Sequence, residues 1–100
     1  MLYPRLPSKG IDVKYVMIMH GWAGGFPCDA IGQYLKSADF EAHGGRGETI
    51  FTPNLEEAMK FESSDAAATF WRTRSKTVPT RTDGQPNRPL TAATMEIAPA

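Results

Sequence analysis

The run Val13 to Met19 (VKYVMIM) carries one charge, at Lys14, among β-branched, aromatic and other apolar residues, which predicts a strand near the middle of a sheet. Gly21 to Pro27 (GWAGGFP) follows with three glycines and a proline and predicts a loop. Tyr34 to Lys36 reads as a short strand and Thr49 to Thr52 (TIFT) as a stronger one. Between them His43 to Gly47 (HGGRG) reads as a turn or extended loop, so an antiparallel pair is the simplest outcome.

The pattern then changes from alternation to helical spacing. Thr52 can cap with Pro53 in the first helical position, or Asn54 can cap with Glu57 three residues on. Leu55, Ala58 and Met59 then share one face of a short helix ending near Phe61. Ser63 or Ser64 caps a second helix with Asp65 in its first turn and Arg72, Arg74 and Lys76 in its last, each suited to the dipole there. Ala67, Phe70, Trp71 and Arg74 recur at three- and four-residue spacing, which turns Phe70 and Trp71 to the core. Val78 to Pro89, with three prolines and Asp83-Gly84, is a turn-rich connection. Leu90 to Ile97 closes the chain as a strand with Ala93, Met95 and Ile97 on one side.

These elements predict an α+β fold: a small two-layer domain in which a three- to four-stranded, mainly antiparallel sheet packs against two helices. One hundred residues bury roughly two-thirds of the surface that the unfolded chain exposes, enough for one modest core. Residues 13–100 are expected to form that single domain. Residues 1–12, broken by Pro4, Pro7 and Gly10, read as a flexible N-terminal extension without the apolar stretch of a signal peptide.

Formal net charge is zero, so attraction of the whole molecule to nucleic acid or anionic lipid is not expected. The charges are unevenly spread. Asp39, Glu41, Glu48, Glu56, Glu57, Glu62 and Asp65 face only Arg46 and Lys60 within their stretch. From Arg72 to Arg88 the balance reverses, with Arg72, Arg74, Lys76, Arg81 and Arg88 against Asp83. Either the two stretches are solvated faces that pair with each other, or they form a polar surface matched to a charged partner. In the second case Asp39, Glu41, Glu48, Glu56, Glu57, Arg72 and Arg74 are the candidate partner-binding residues. Cys28 is the only cysteine, which fits a reducing cytoplasm, and no apolar run approaches the ~20 residues that span a bilayer.

Four motifs suggest chemistry and none is complete. His20-Gly21-Trp22-Ala23-Gly24-Gly25 after an apolar strand is similar to the oxyanion loop of α/β-hydrolases, but no Gly-x-Ser-x-Gly elbow exists; a glycine turn with Trp22 covering an edge of the core explains it better. His20, Cys28 and His43 lack the close pairing of closed zinc sites. Gly44 to Gly47 could cradle a phosphate as a backbone nest, yet the P-loop lysine and hydroxyl are missing, and a tight turn suffices. Phe70 to Arg74 mixes aromatic and basic residues as a single-strand stacking surface does. On a helix, however, Phe70 and Trp71 sit about 100° apart while the arginines reach outward, so core plus solvated rim is the better reading. No catalytic, metal-binding or cofactor-binding residues are assigned, and no enzyme is expected.

Tyr34-Leu35-Lys36-Ser37, Phe40 to Gly47, Phe51-Thr52-Pro53, Ala58 to Phe61, Phe70 to Thr73, and Asp83 to Leu90 with Met95-Glu96-Ile97 together resemble a family of small phage and prophage proteins of proteobacteria. Its members begin near a strand like Lys14-Tyr15-Val16, which implies that Met1 to Val13 is an extension. The resemblance implies a phage setting, in the cytoplasm of the bacterial host, where small accessory proteins bind a host protein or complex and block it. Its most specific form is an anti-CRISPR protein acting on a CRISPR–Cas effector. The alternative is a virion or DNA-packaging accessory protein acting through oligomerisation.

Overall fold

The computed structural model describes residues 2–4 and 13–100. Strands β1 (Leu2–Pro4), β2 (Tyr15–Trp22), β3 (Tyr34–Asp39), β4 (Glu48–Thr52) and β5 (Ala93–Pro99) form one sheet in the order β1-β5-β2-β3-β4. Four are antiparallel to their neighbours, and β1 adds a short parallel edge with Leu2 opposite Met95. A helical turn, α1 (Ala42–Gly45), joins β3 to β4, and α2 (Ser64–Trp71) lies between β4 and β5 in sequence. The α+β architecture is the expected one. The fifth strand comes from the predicted N-terminal extension, of which Met1 and residues 5–12 lie outside the described residues.

Alternation in β2 and β5 builds the core. Tyr15, Met17 and Met19 face one side with Ala93, Met95 and Ile97, all buried, and Leu35 of β3 and Ala67 of α2 close over them at 0% exposure. Each large side chain so buried contributes about 1.5–3 kcal/mol. Val16 and Ala98, paired across the seam, alternate to the opposite face and are buried too. The central seam is therefore covered on both sides there.

Several boundaries differ from the predicted ones, each for a visible reason. The first strand of the domain continues through Trp22, because Gly21 and Trp22 still pair with Thr94 and Ala93 of β5; the register slips between Met19 and Gly21, and the loop starts only at Ala23. The predicted strand at Tyr34 to Lys36 extends to Asp39, opposite Glu48. The predicted helix ending near Phe61 is a single 3-10 turn, Leu55–Glu57. Beyond it the chain is drawn out by sheet-like bonds: Met59 N–H donates to Leu35 O at 2.9 Å, and Phe61 exchanges bonds with Tyr15 at 2.8 and 2.9 Å. Leu55 is consequently exposed, and Lys60 Nζ donates to the carbonyls of Leu55 and Ala58.

Of the two serines predicted as caps of α2 it is Ser63 that caps it, its Oγ accepting from Ala66 N–H at 3.0 Å, but the helix ends at Trp71, with Arg72, Arg74 and Lys76 all beyond its last turn. Phe70 is half-buried, its ring 5.2 Å from Phe40 and 5.3 Å from Phe61, and Trp71 donates its indole N–H to Ala93 O. No helix among the described residues is long and apolar enough to cross a membrane.

Candidate functional site

The most constrained surface is built where residues 39–47 meet residues 75–92. Asp39 accepts from the backbone N–H of Glu41 at 2.9 Å, turning the chain out of β3. His43, Gly44 and Gly45 then take left-handed conformations, φ +54, +66 and +88. Glycine is required at Gly45 for a second reason: a Cβ there would lie 2.7 Å from that of Val78. At Gly47 a Cβ would lie 2.6 Å from that of Pro89, so the two loops meet backbone to side chain at both points.

Two side chains lock that meeting. Asn87 donates its amide to Gly45 O at 2.7 Å and to Val78 O at 2.8 Å, while its backbone bonds Pro79 O and Ser75 N–H. Glu41 receives the hydroxyls of Ser75 and Thr77 at 2.7 and 2.6 Å, and the backbone N–H groups of Lys76 and Thr77 at 2.7 and 2.9 Å. The Lys76 amide first, then the Thr77 and Ser75 hydroxyls, hold its carboxyl at about 2, well below the usual 4.5. This acceptor also explains where α2 stops: amides 76 and 77 bond a carboxylate from another part of the chain, and amide 75 bonds Asn87 O.

Between the locked loops runs a wide cleft lined by Arg46, Arg81 and Arg88, with Thr80, Thr82 and Thr91 among them and Val78, Pro89 and Ala92 as apolar wall. None of its lining residues is acidic. Arg81 is paired with Asp83 at 3.1 Å; Arg46 and Arg88 are in no ion pair among the described residues. A smaller hollow, which Arg46 also lines, is bounded by Trp22, Phe40 and Leu90 together with Asp39 and Glu48.

The seven candidate partner-binding residues separate into two groups. Glu41 and Glu57 are taken up by hydrogen bonds within the chain, Glu57 by Asn54, Lys36 and Thr52, with Asn54 the first cause and Lys36 the next of its lowered carboxyl pKa. Asp39, Glu48, Glu56, Arg72 and Arg74 are exposed and in no ion pair among the described residues. Asp39 and Glu48 stand directly opposite each other across β3 and β4, an arrangement of like charges that costs stability. The predicted pairing of the acidic stretch with the basic one is absent among the described residues: the only ion pairs there are Lys14–Glu62, His20–Glu96, Lys36–Glu57 and Arg81–Asp83.

The other motifs have structural settings. His20 and Gly21 remain in β2, and Trp22 packs edge-on against Phe51, ring centres 6.4 Å apart. His20 bonds Glu96 at 3.1 Å, and Cys28 is half-buried against the core. No cluster of three or more His, Cys, Asp or Glu suited to a metal ion occurs among the described residues. No family model, curated protein or solved structure matches the chain.

Proposed function

We propose that this is a phage-derived binding protein that inhibits a host protein by direct contact in the bacterial cytoplasm, most specifically an anti-CRISPR protein blocking a CRISPR–Cas surveillance complex. The observation that carries the contact reading is the set of exposed charges left without internal ion pairs, Asp39, Glu48 and Glu56 on one side and Arg72 and Arg74 on the other. Unpaired charge on ordered backbone is suited to steering and registering a complementary surface. The phage setting rests on the resemblance of residues 34–97. Zero net charge disfavours imitation of DNA over the whole surface, whereas the facing Asp39 and Glu48 offer a local pair of negative charges.

Such a protein acts at fixed stoichiometry, without turnover. Titrated into a type I surveillance complex, it should abolish target-DNA binding or nuclease recruitment near equimolar amounts, with or without EDTA, and added salt should weaken the contact. Inhibition far below equimolar amounts would mean an enzyme, and absence of binding to any complex of the host range would sink the anti-CRISPR form.

A second reading, a virion or DNA-packaging accessory protein acting through oligomerisation, has one observation in its favour. Strand β4 is an open sheet edge that presents Ile50 at 51% exposure, and edges of this kind pair with further strands. Sedimentation of the purified protein tests it: a concentration-independent monomer rules out self-pairing through β4.

A further inference from the structure

We propose that the cleft between α1 and the 78–92 loop is a binding site for a phosphate monoester, the phosphate seated among Arg46, Arg81 and Arg88. The inference goes beyond the partner reading and does not depend on it.

Charge comes first. Three arginines are among the residues that line the cleft and no Asp or Glu is; Asp83, outside the lining, offsets Arg81. Two positive charges remain uncompensated, at Arg46 and Arg88. A phosphate monoester carries about −1.5 to −2 at neutral pH, so one such group balances them. Asp39 and Glu48 line the neighbouring hollow together with Arg46 but form no ion pair with it.

The chemistry of the donors is equally selective. All the cations are arginines, whose planar fork matches two phosphate oxygens at once, whereas an ammonium offers only a point charge. Thr80 and Thr82 belong to the same lining, and a threonine hydroxyl can donate to the remaining oxygen. The one side-chain amide there, of Asn87, is already spent on Gly45 O and Val78 O, so it fixes the walls rather than the ligand. The apolar wall of Val78, Pro89 and Ala92 gives the organic part of the ester a surface to lie against.

Preorganisation separates this cleft from an ordinary basic surface. Its two walls are joined through Gly45 and Gly47, where no side chain larger than hydrogen fits, and through the bonds of Glu41 and Asn87. The arginines therefore emerge from backbone that is already in place, and binding need order only side chains.

The test uses the full chain at low salt, with backbone amide shifts of residues 44–47 and 78–92 read by NMR. Three probes separate the sources of the phosphate: inorganic phosphate, a nucleoside 5′-monophosphate and its parent nucleoside. Saturable shifts with both phosphates and none with the nucleoside are expected, weakening as salt rises. Arg46→Gln and Arg88→Gln should each reduce affinity at least about tenfold, the loss of one charge-assisted contact. Arg88→Lys should fall between wild type and Arg88→Gln, and Lys14→Gln, which removes an equal charge elsewhere, should match wild type. No saturation by about 10 mM of either phosphate, equal binding of the nucleoside, or equal loss in Lys14→Gln would each overturn the proposal. Tighter binding of the monophosphate than of inorganic phosphate would locate the organic part on the apolar wall.

Discussion

Ser75, buried at 1% exposure, donates its hydroxyl to Glu41 across 2.7 Å, joining the turn after β3 to the segment after α2. With three further donors on the same carboxylate, the folded state holds Glu41 ionised down to about 2, against an ordinary value near 4.5. A depressed carboxyl pKa contributes stability above the unfolded value, and the contribution is lost as pH falls toward the folded value. Thermal unfolding of Glu41→Gln should thus lie well below wild type at pH 7, and the gap should close between pH 4.5 and 2. A gap that persists at pH 2 would mean that the carboxylate charge is not what the loop requires.

Adjacent glycines should respond differently to the same substitution. Gly44→Ala meets open space and adds only the strain of a left-handed alanine, about 1 kcal/mol. Gly45→Ala adds a clash with Val78 at 2.7 Å and should cost about 3 kcal/mol or more, or else displace the 75–89 loop. Denaturant unfolding of both variants checks it, and equal costs would refute the close packing of the two loops.

Phe70 joins Phe40 and Phe61 into one aromatic cluster beneath α2. Because it is half-buried, Phe70→Ala should cost about 3 kcal/mol, the lower end of the range for a core aromatic. In a domain of this size that removes a large share of the stability. A melting temperature within a few degrees of wild type would show that α2 does not depend on the cluster.

Partner contact should follow the exposed charges and not the histidines. Reversing Glu48 and Glu56, or Arg72 and Arg74, should weaken capture of the partner by slowing association, with the salt dependence reduced. Reversing Glu57 as well should cost stability, since it breaks the bonds to Asn54 and Lys36. His20→Ala and His43→Ala should retain capture. Loss of inhibition in a folded histidine variant would point to a chemical step.

Much of the fold was legible because its signals are local. Alternation placed Ala93, Met95 and Ile97 on one face, and the pair Ser63-Ser64 announced the start of α2. Errors arose where a distant group outbid a local preference: β5 extended β2 past Gly21, Leu35 and Tyr15 unwound the predicted helix before Phe61, and Glu41 with Asn87 drew residues 75–77 away from α2. The candidate surface was half legible. Sequence segregated acidic from basic residues but could not say that Glu41 faces inward. Nor could it say that Arg46 shares a cleft with Arg81 and Arg88, because the contact between their loops depends on packing at two glycines rather than on a spacing.

The central seam of the sheet joins β2 to β5, which are far apart in sequence; His20 and Glu96, which face each other close to it, are 76 positions apart. During synthesis the edge of β2 that pairs with β5 has no partner until the residues of β5 have been made. Closing so long a loop must precede the contacts that reward it, which slows folding relative to helical domains of equal stability. Strands β2, β3 and β4 follow one another in sequence and pair antiparallel, so they can form early, while Tyr15, Met17 and Met19 depend on β5 for the rest of their cover. Ribosome-bound chains stalled before Ala93 should accordingly remain protease-sensitive, and chains in which all of β5 has emerged should gain protection in a single step.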